Sequence, residues 1–195
     1  MKNYIITVSR EFGSGGRTIG KKVAEKLGIP CYDSELIQKI ALESGFSENF
    51  VKDVSEDAPV TVLGLALIPR TTGKTNDDYI WEAQTKVVNE LAKKGACVIV
   101  GRCADYILKG KVDCLRVFVH ADMDYRSKRI VEIYGEHTET PEQRLREKDK
   151  RRAAYHRFYT GMKWGYAQNY DITMNSGILG IEECVDILVN IYRKK

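Results

Sequence analysis

Two stretches, ACVIVG (96–101) and CLRVFVHA (114–121), run apolar almost without a polar break. A strand with one solvated face alternates, so continuous runs this short mark strands covered on both faces, as in parallel sheets sandwiched by helices. A third stretch, YIITVS (4–9), begins the chain in the same way, and IPCYD (29–33) and YDITMN (170–175) add shorter ones. Between them lie helical periods. Ile19, Val23, Ala24 and Leu27 share one face of a helix at about 17–27 that Gly28 ends, and SELIQKIALES follows with Ser34 as a plausible N-cap. Ile80, Ala83, Val87, Val88 and Leu91 mark a helix capped by Asp77 or Asp78, and another begins near Asp122 and runs to about Tyr134. Thr140-Pro141-Glu142-Gln143 is a capping box with proline at the first helical position, opening a helix that extends to about Tyr159. A last helix, 181–193, carries Ile181, Cys184, Val185, Leu188 and Ile191 on one side.

This alternation predicts an α/β three-layer sandwich, with a mainly parallel central sheet between helices. At 195 residues the chain suits a single domain. Residues 45–76, with the apolar patch VTVLGLALIP (60–69), resist assignment and read as a small helical lobe or a mobile excursion. No apolar run approaches a membrane span, and MKNYIITVS lacks the basic start and apolar core of a signal peptide, so a cytoplasmic protein without a membrane partner is expected. The five cysteines are scattered and odd in number, which suits reduced, mostly buried thiols. Cys103 alone sits beside a candidate functional residue, and three histidines do not suggest a histidine metal site.

Open parallel sheets bind ligands beyond the carboxyl ends of their strands. After the first strand comes SREFGSGGRTIGKK (9–22), a glycine-rich turn leading into a helix. Gly13, Ser14, Gly15 and Gly16 are small enough for backbone N–H groups to face an anion, with a helix N-terminus behind them. The phosphate-loop pattern G-x-x-x-x-G-K-[ST] is not satisfied. In one register Arg17 fills the lysine position and Glu11 the first glycine; in the other Gly16 fills the lysine position. Arg17 can hold phosphate oxygens bidentately, and the Thr18 hydroxyl can approach Mg²⁺.

Other candidates also fall at strand ends. Asp33 and Ser34 follow the second strand, where they face an acceptor or cap the next helix. Arg102 follows ACVIVG, where it meets an anionic ligand or pairs internally with Asp105. The net charge of +4 is uninformative, but the arginines cluster. Arg126 and Arg129 stand at i and i+3, and Asp149, Arg152 and His156 share one side of a later helix beside a stripe of Lys148, Arg151 and Tyr155. Acids interleave among them, which suits a solvated helix or a lid closing over a compact anion better than a nucleic-acid stripe, so nucleic acid is not an expected partner.

In order along the chain, ITVSREFGSGGRTIGKKVAEKLG, YDSELI, VIVGRCADYIL, VFVHADMDYRSKRI, EKDKRRAAYHRFY and YDITMNSGILGIEECVDIL resemble the cytidylate kinase-like family, relatives of bacterial CMP kinase among the P-loop nucleoside monophosphate kinases. The resemblance implies a P-loop kinase fold with an NMP-binding lobe at about 34–76 and a lid at about 126–165. It implies ATP and Mg²⁺ as cofactors, and a nucleotide or related small molecule as phosphate acceptor, in a monomer or homodimer. By it, Gly13 to Thr18 bind ATP; Asp33, Ser34, Lys39, Arg102, Asp105 and Asp149 belong to the acceptor side; Arg17, Arg126, Arg129, Arg151 and Arg152 serve catalysis. CMP kinase has GKGT where this chain has GGRT, DGRD where it has VGRC, and arginine at Lys39. The expected function is ATP-dependent phosphoryl transfer to a CMP-like acceptor; the alternative is a nucleotide-binding regulator with a lysine-less loop.

Overall fold

The computed structural model describes residues 4–53, 74–135 and 139–195. Five strands, β1 (Ile5–Arg10), β2 (Cys31–Tyr32), β3 (Val98–Val100), β4 (Cys114–His120) and β5 (Ile172–Asn175), form one sheet in the order β2-β3-β1-β4-β5. All four pairings are parallel, with Val8 opposite Val100 on one side and Val117 on the other. The described helices are α1 (Gly16–Leu27), α2 (Glu35–Ser44), α3 (Glu48–Asp53), α4 (Asn76–Lys94), α5 (Ala104–Ile107), α6 (Met123–Tyr134), α7 (Pro141–Thr160), α8 (Ser176–Leu179) and α9 (Ile181–Arg193).

The apolar strands are buried on both faces because successive side chains point to opposite sides. Ile6, Val8, Val98, Val100, Val117 and Val119 pack against α1 and α9. Ile5 and Ile99 turn the other way, onto Leu36 and Ile40 of α2, Val51 of α3 and Ile80, Val88 and Leu91 of α4. The result is the expected three-layer sandwich. The patch at 60–69 lies outside the described residues. Among the described residues no helix is long and apolar enough to cross a membrane.

Local signals at the helix ends divide. Thr140 caps α7 with Gln143 returning the bond and Pro141 at the first helical position, and Gly28 closes α1, both as expected. The α4 cap differs. Thr75 is the capping residue, accepting from Asp78 N, while the Asp78 carboxylate accepts from Thr75 N at 2.8 Å. Aspartate 78 therefore sits at the third helical position of a capping box, and Asp77 is not the cap. Ser34 makes no side-chain cap bond to α2; its hydroxyl is used elsewhere.

Candidate functional site

At the carboxyl ends of β1, β2 and β3 opens a cavity of about 890 Å³. Its wall carries nine arginine and lysine side chains against four carboxylates, an excess of positive charge that suits a polyanionic ligand. Gly13, Gly15, Gly16, Arg17, Thr18, Asp33, Ser34, Arg102, Arg129 and Arg152 all line it. The structure thus brings these residues, from five sequence segments, to one place.

Its floor is the loop between Arg10 and α1. Gly13 and Gly15 adopt φ of 80° and 81°, a region that side-chain-bearing residues avoid. A Cβ on Gly13 would lie 3.1 Å from both Cβ and the carbonyl oxygen of Arg126, so the loop rests directly on α6. Ser14 faces inward, with Oγ 2.9 Å from the Glu11 carbonyl and 3.1 Å from that of Val119, and its own carbonyl accepts from Ser176 Oγ at 2.5 Å. Its side chain therefore fixes the loop and does not face the cavity.

The arginines divide into two kinds. Arg126 is buried and off the cavity wall: its Nη1 donates to Asp149 Oδ2 at 2.5 Å and to the Phe12 carbonyl at 3.1 Å. Asp149 uses its other oxygen to accept from Phe12 N at 2.7 Å. Together they tie α6, α7 and the loop into one unit. Glu11 completes it, accepting from Ala121 N at 3.2 Å with Arg126 Nε at 3.5 Å. Burial pushes the Glu11 carboxyl up, against the pull of Arg126.

Arg129 and Arg152 reach the cavity. Arg129 Nη2 donates to Thr18 Oγ1 at 3.0 Å, and its guanidinium stands over Gly15. Arg152 Nη1 donates to the Arg10 carbonyl at 3.2 Å, with its guanidinium 5.6 Å from the Phe12 ring centre. Arg151 lies off the wall, its Nε 3.4 Å from Glu147 one turn back.

Arg17 points away from the loop. Its Nε is in a close ion pair with Asp33, and Nη2 reaches Ser34 Oγ at 3.4 Å. The segment after β2 is therefore linked to the first turn of α1. Lys39 is not on the wall, which α2 meets through Glu35, Ile37 and Gln38, and Lys52 of α3 is.

Arg102 is buried and adopts φ of 57°, followed by Cys103 at 52°. Two successive non-glycine residues in the left-handed region store backbone strain that the surroundings must hold. Here Gln84 of α4 does so, donating to the Arg102 carbonyl at 3.0 Å and accepting from Tyr155 Oη at 3.2 Å. Asp105 meets His156, with Oδ2 3.2 Å from Nε2 and both side chains buried. The stripe Asp149, Arg152, His156 is thus the inner side of α7. Cys103 is buried, and burial pushes the thiols of Cys31, Cys97 and Cys114 up to about 11, 12 and 11, far from a thiolate at neutral pH.

Arg10, Phe12 and Lys52 line the cavity without having been singled out in the sequence. Arg10 ends β1, so the strand-end position that marks Arg102 marks it equally.

The model of the cytidylate kinase-like family matches residues 5–178, which spans every element of this site up to α8. The chain belongs to the cytidylate kinase-like family. Its relatives include the cytidylate kinase of Archaeoglobus fulgidus, 28% identical over 97% of this chain and 95% of that one. The cytidylate kinase of Methanopyrus kandleri is 22% identical over 95% of this chain and 91% of its own length. Among solved structures, an uncharacterized protein from Eubacterium ventriosum superposes with a TM-score of 0.74 at 29% identity, covering 98% of this chain and 99% of that one. Shikimate kinase from Acinetobacter baumannii shares the fold, with a TM-score of 0.55 at 20% identity over 100% of this chain and 96% of its own. The five-stranded parallel sheet and its flanking helices are therefore a P-loop kinase-like fold.

Proposed function

We propose that the protein transfers the γ-phosphoryl group of ATP to a nucleoside monophosphate, with cytidylate as the first acceptor to test. The observation that carries this reading is the cationic cavity over a glycine loop and helix N-terminus, in a chain whose relatives are named cytidylate kinases. Phosphoryl transfer needs little covalent help from a protein. It needs in-line placement and positive groups around the equatorial oxygens.

In this reading the main-chain N–H groups at the start of α1 hold the ATP phosphates, and Arg129 and Arg152 neutralise charge on the transferring group. Arg102, and the Arg17–Asp33–Ser34 cluster, face the acceptor. Segments around 34–76 and 126–165 serve as NMP lobe and lid, with Arg126 and Asp149 anchoring the lid to the loop.

Among the described residues no group of three or more histidine, cysteine, aspartate or glutamate side chains is placed to hold a metal. A divalent ion would therefore arrive with the nucleotide. Thr18 suits it, because a hydroxyl that accepts one bond from Arg129 keeps a second lone pair. Mg²⁺, when bound, would supply charge neutralisation at the nucleotide phosphates.

A coupled assay with ATP, Mg²⁺ and a panel of nucleoside monophosphates tests the proposal. Transfer to at least one is expected, and no transfer to any at saturating Mg²⁺ defeats it. One observation favours a second reading, a nucleotide-binding regulator: Gly16 has no side chain and Arg17 is engaged by Asp33. Tight ATP binding in calorimetry without turnover would select that reading.

A further inference from the structure

Gly15, with its positive φ, is the residue that caps α1, and Gly16 is the first helical residue. A phosphate-loop lysine directly follows the motif's second glycine. The structure thus favours the register in which Gly15 is that glycine, Gly16 stands at the lysine position, and Arg10, five residues before Gly15, stands at the first glycine position. In this chain the small and the cationic residue have opposite places from those of the motif.

The two positions touch. A Cβ built on Gly16 would lie 2.5 Å from Cβ and 3.1 Å from Cγ of Arg10, and 3.3 Å from Val119 Cβ. The first of these atoms is fixed to the β1 backbone and cannot swing aside. The space through which a side chain at 16 would leave the helix is therefore filled by the stem of Arg10. Residue 10 is held in place by its pairing with Val119 on β4 and by the bond from Arg152 to its carbonyl. Its side chain crosses the start of α1 and lines the cavity.

Arg17 turns to Asp33 and Ser34, and Lys22 is in a close ion pair with Glu182 of α9. We propose that Arg10 and Gly16 have traded roles, so that the arginine ending β1 supplies, from the strand side, the phosphate-binding charge that the motif places on a lysine at the helix start. The proposal rests on the reading of the cavity as an ATP site, and adds to it the residue that compensates for the missing lysine. An arginine there brings two parallel donors where a lysine brings a point charge.

The test is ATP binding by calorimetry without acceptor, so that turnover plays no part. Arg10→Gln keeps the stem that packs on Gly16 and removes the charge; affinity for ATP should fall by about 10- to 100-fold. The double variant Arg10→Gly/Gly16→Lys rebuilds the ordinary arrangement and should recover at least about ten-fold of the ATP affinity that Arg10→Gly loses relative to the parent. Circular dichroism establishes that each variant is folded; if Arg10→Gln is not, the Arg10→Gly pair decides. Parent-like affinity in folded Arg10→Gln overturns the proposal, as does a double variant no better than Arg10→Gly. A parent protein that does not bind ATP overturns the ATP-site reading and this proposal together. A parent that binds ATP through Arg10 but phosphorylates no nucleoside monophosphate leaves the proposal standing and removes only the kinase assignment.

Discussion

The two walls of the cavity are built from the same residue types in opposite ways. On the loop side, Arg152 in the wall and Arg126 behind it are buried and bonded to main-chain carbonyls, and Asp149, also behind the wall, spans an N–H group and a guanidinium. On the proposed acceptor side, buried Arg102 apart, Arg17 is half exposed, Ser34 and Lys52 are exposed, and the linking bonds run between side chains. A buried arginine that holds backbone sets the shape of the site before any ligand arrives. An exposed one can exchange its carboxylate for a ligand at little cost, because surface pairs contribute little. In the proposed reading, the difference separates a preorganised phosphate floor from an adaptable acceptor wall.

The largest effect should come from the buried anchor. Arg126→Met leaves the Asp149 carboxylate and the Phe12 carbonyl without their shared donor, and breaking such a pair costs about 3–5 kcal/mol. Urea unfolding should show that loss in the midpoint at unchanged slope. A change below about 1 kcal/mol would place Arg126 with the surface pairs and erase the contrast between the walls.

Next in size is a kinetic contrast. Arg129→Gln removes the guanidinium over Gly15 and Thr18 and should lower kcat by about 100-fold, as for loss of a preorganised donor to transferring charge. Arg17→Gln should leave kcat nearer the parent value and raise the acceptor KM by about ten-fold, because it unties Asp33 and Ser34. Steady-state kinetics with each substrate varied would separate them. Equal losses in kcat for both variants would mean that the walls do not divide the labour.

What the sequence made legible follows the same line between local and distant. Apolar period and the Thr140–Gln143 box act within a few residues, and the sheet, its flanking helices and the start of α7 came out as expected. The α4 cap was misplaced because four oxygen-bearing residues, Thr75, Asn76, Asp77 and Asp78, lie together, and only backbone geometry selects Thr75. The strand-end argument led to the cavity as a place. It did not find the partners, since Phe12 and Asp149 are 137 residues apart and nothing local announces their bond. Arg17 shows the limit most clearly: its position beside the loop suggested phosphate, while its guanidinium follows the carboxylate of Asp33. Gly16, by contrast, was readable as a gap, and only the closeness of Arg10 shows what fills it.

The smallest effect serves as the reference for the comparison. At the other end of the sheet Asp171 accepts from the Arg116 main-chain N at 2.8 Å, from Nε at 3.0 Å and from Nη2 at 2.7 Å, but its side chain keeps 37% exposure. Burial raises the Asp171 carboxyl, yet the side-chain and main-chain bonds from Arg116 outweigh it, and the net direction is down. A carboxyl lowered in the folded state stabilises it above the unfolded-state value and ceases to do so as pH falls through the folded one. Asp171→Asn should therefore cost less than about 1 kcal/mol at neutral pH, and the cost should fade below about pH 4. Thermal melts of parent and variant at pH 7 and pH 3 measure both. A gap as large as that of Arg126→Met would show that three well-aligned bonds outweigh exposure, and that burial is not what sets the loop-side wall apart.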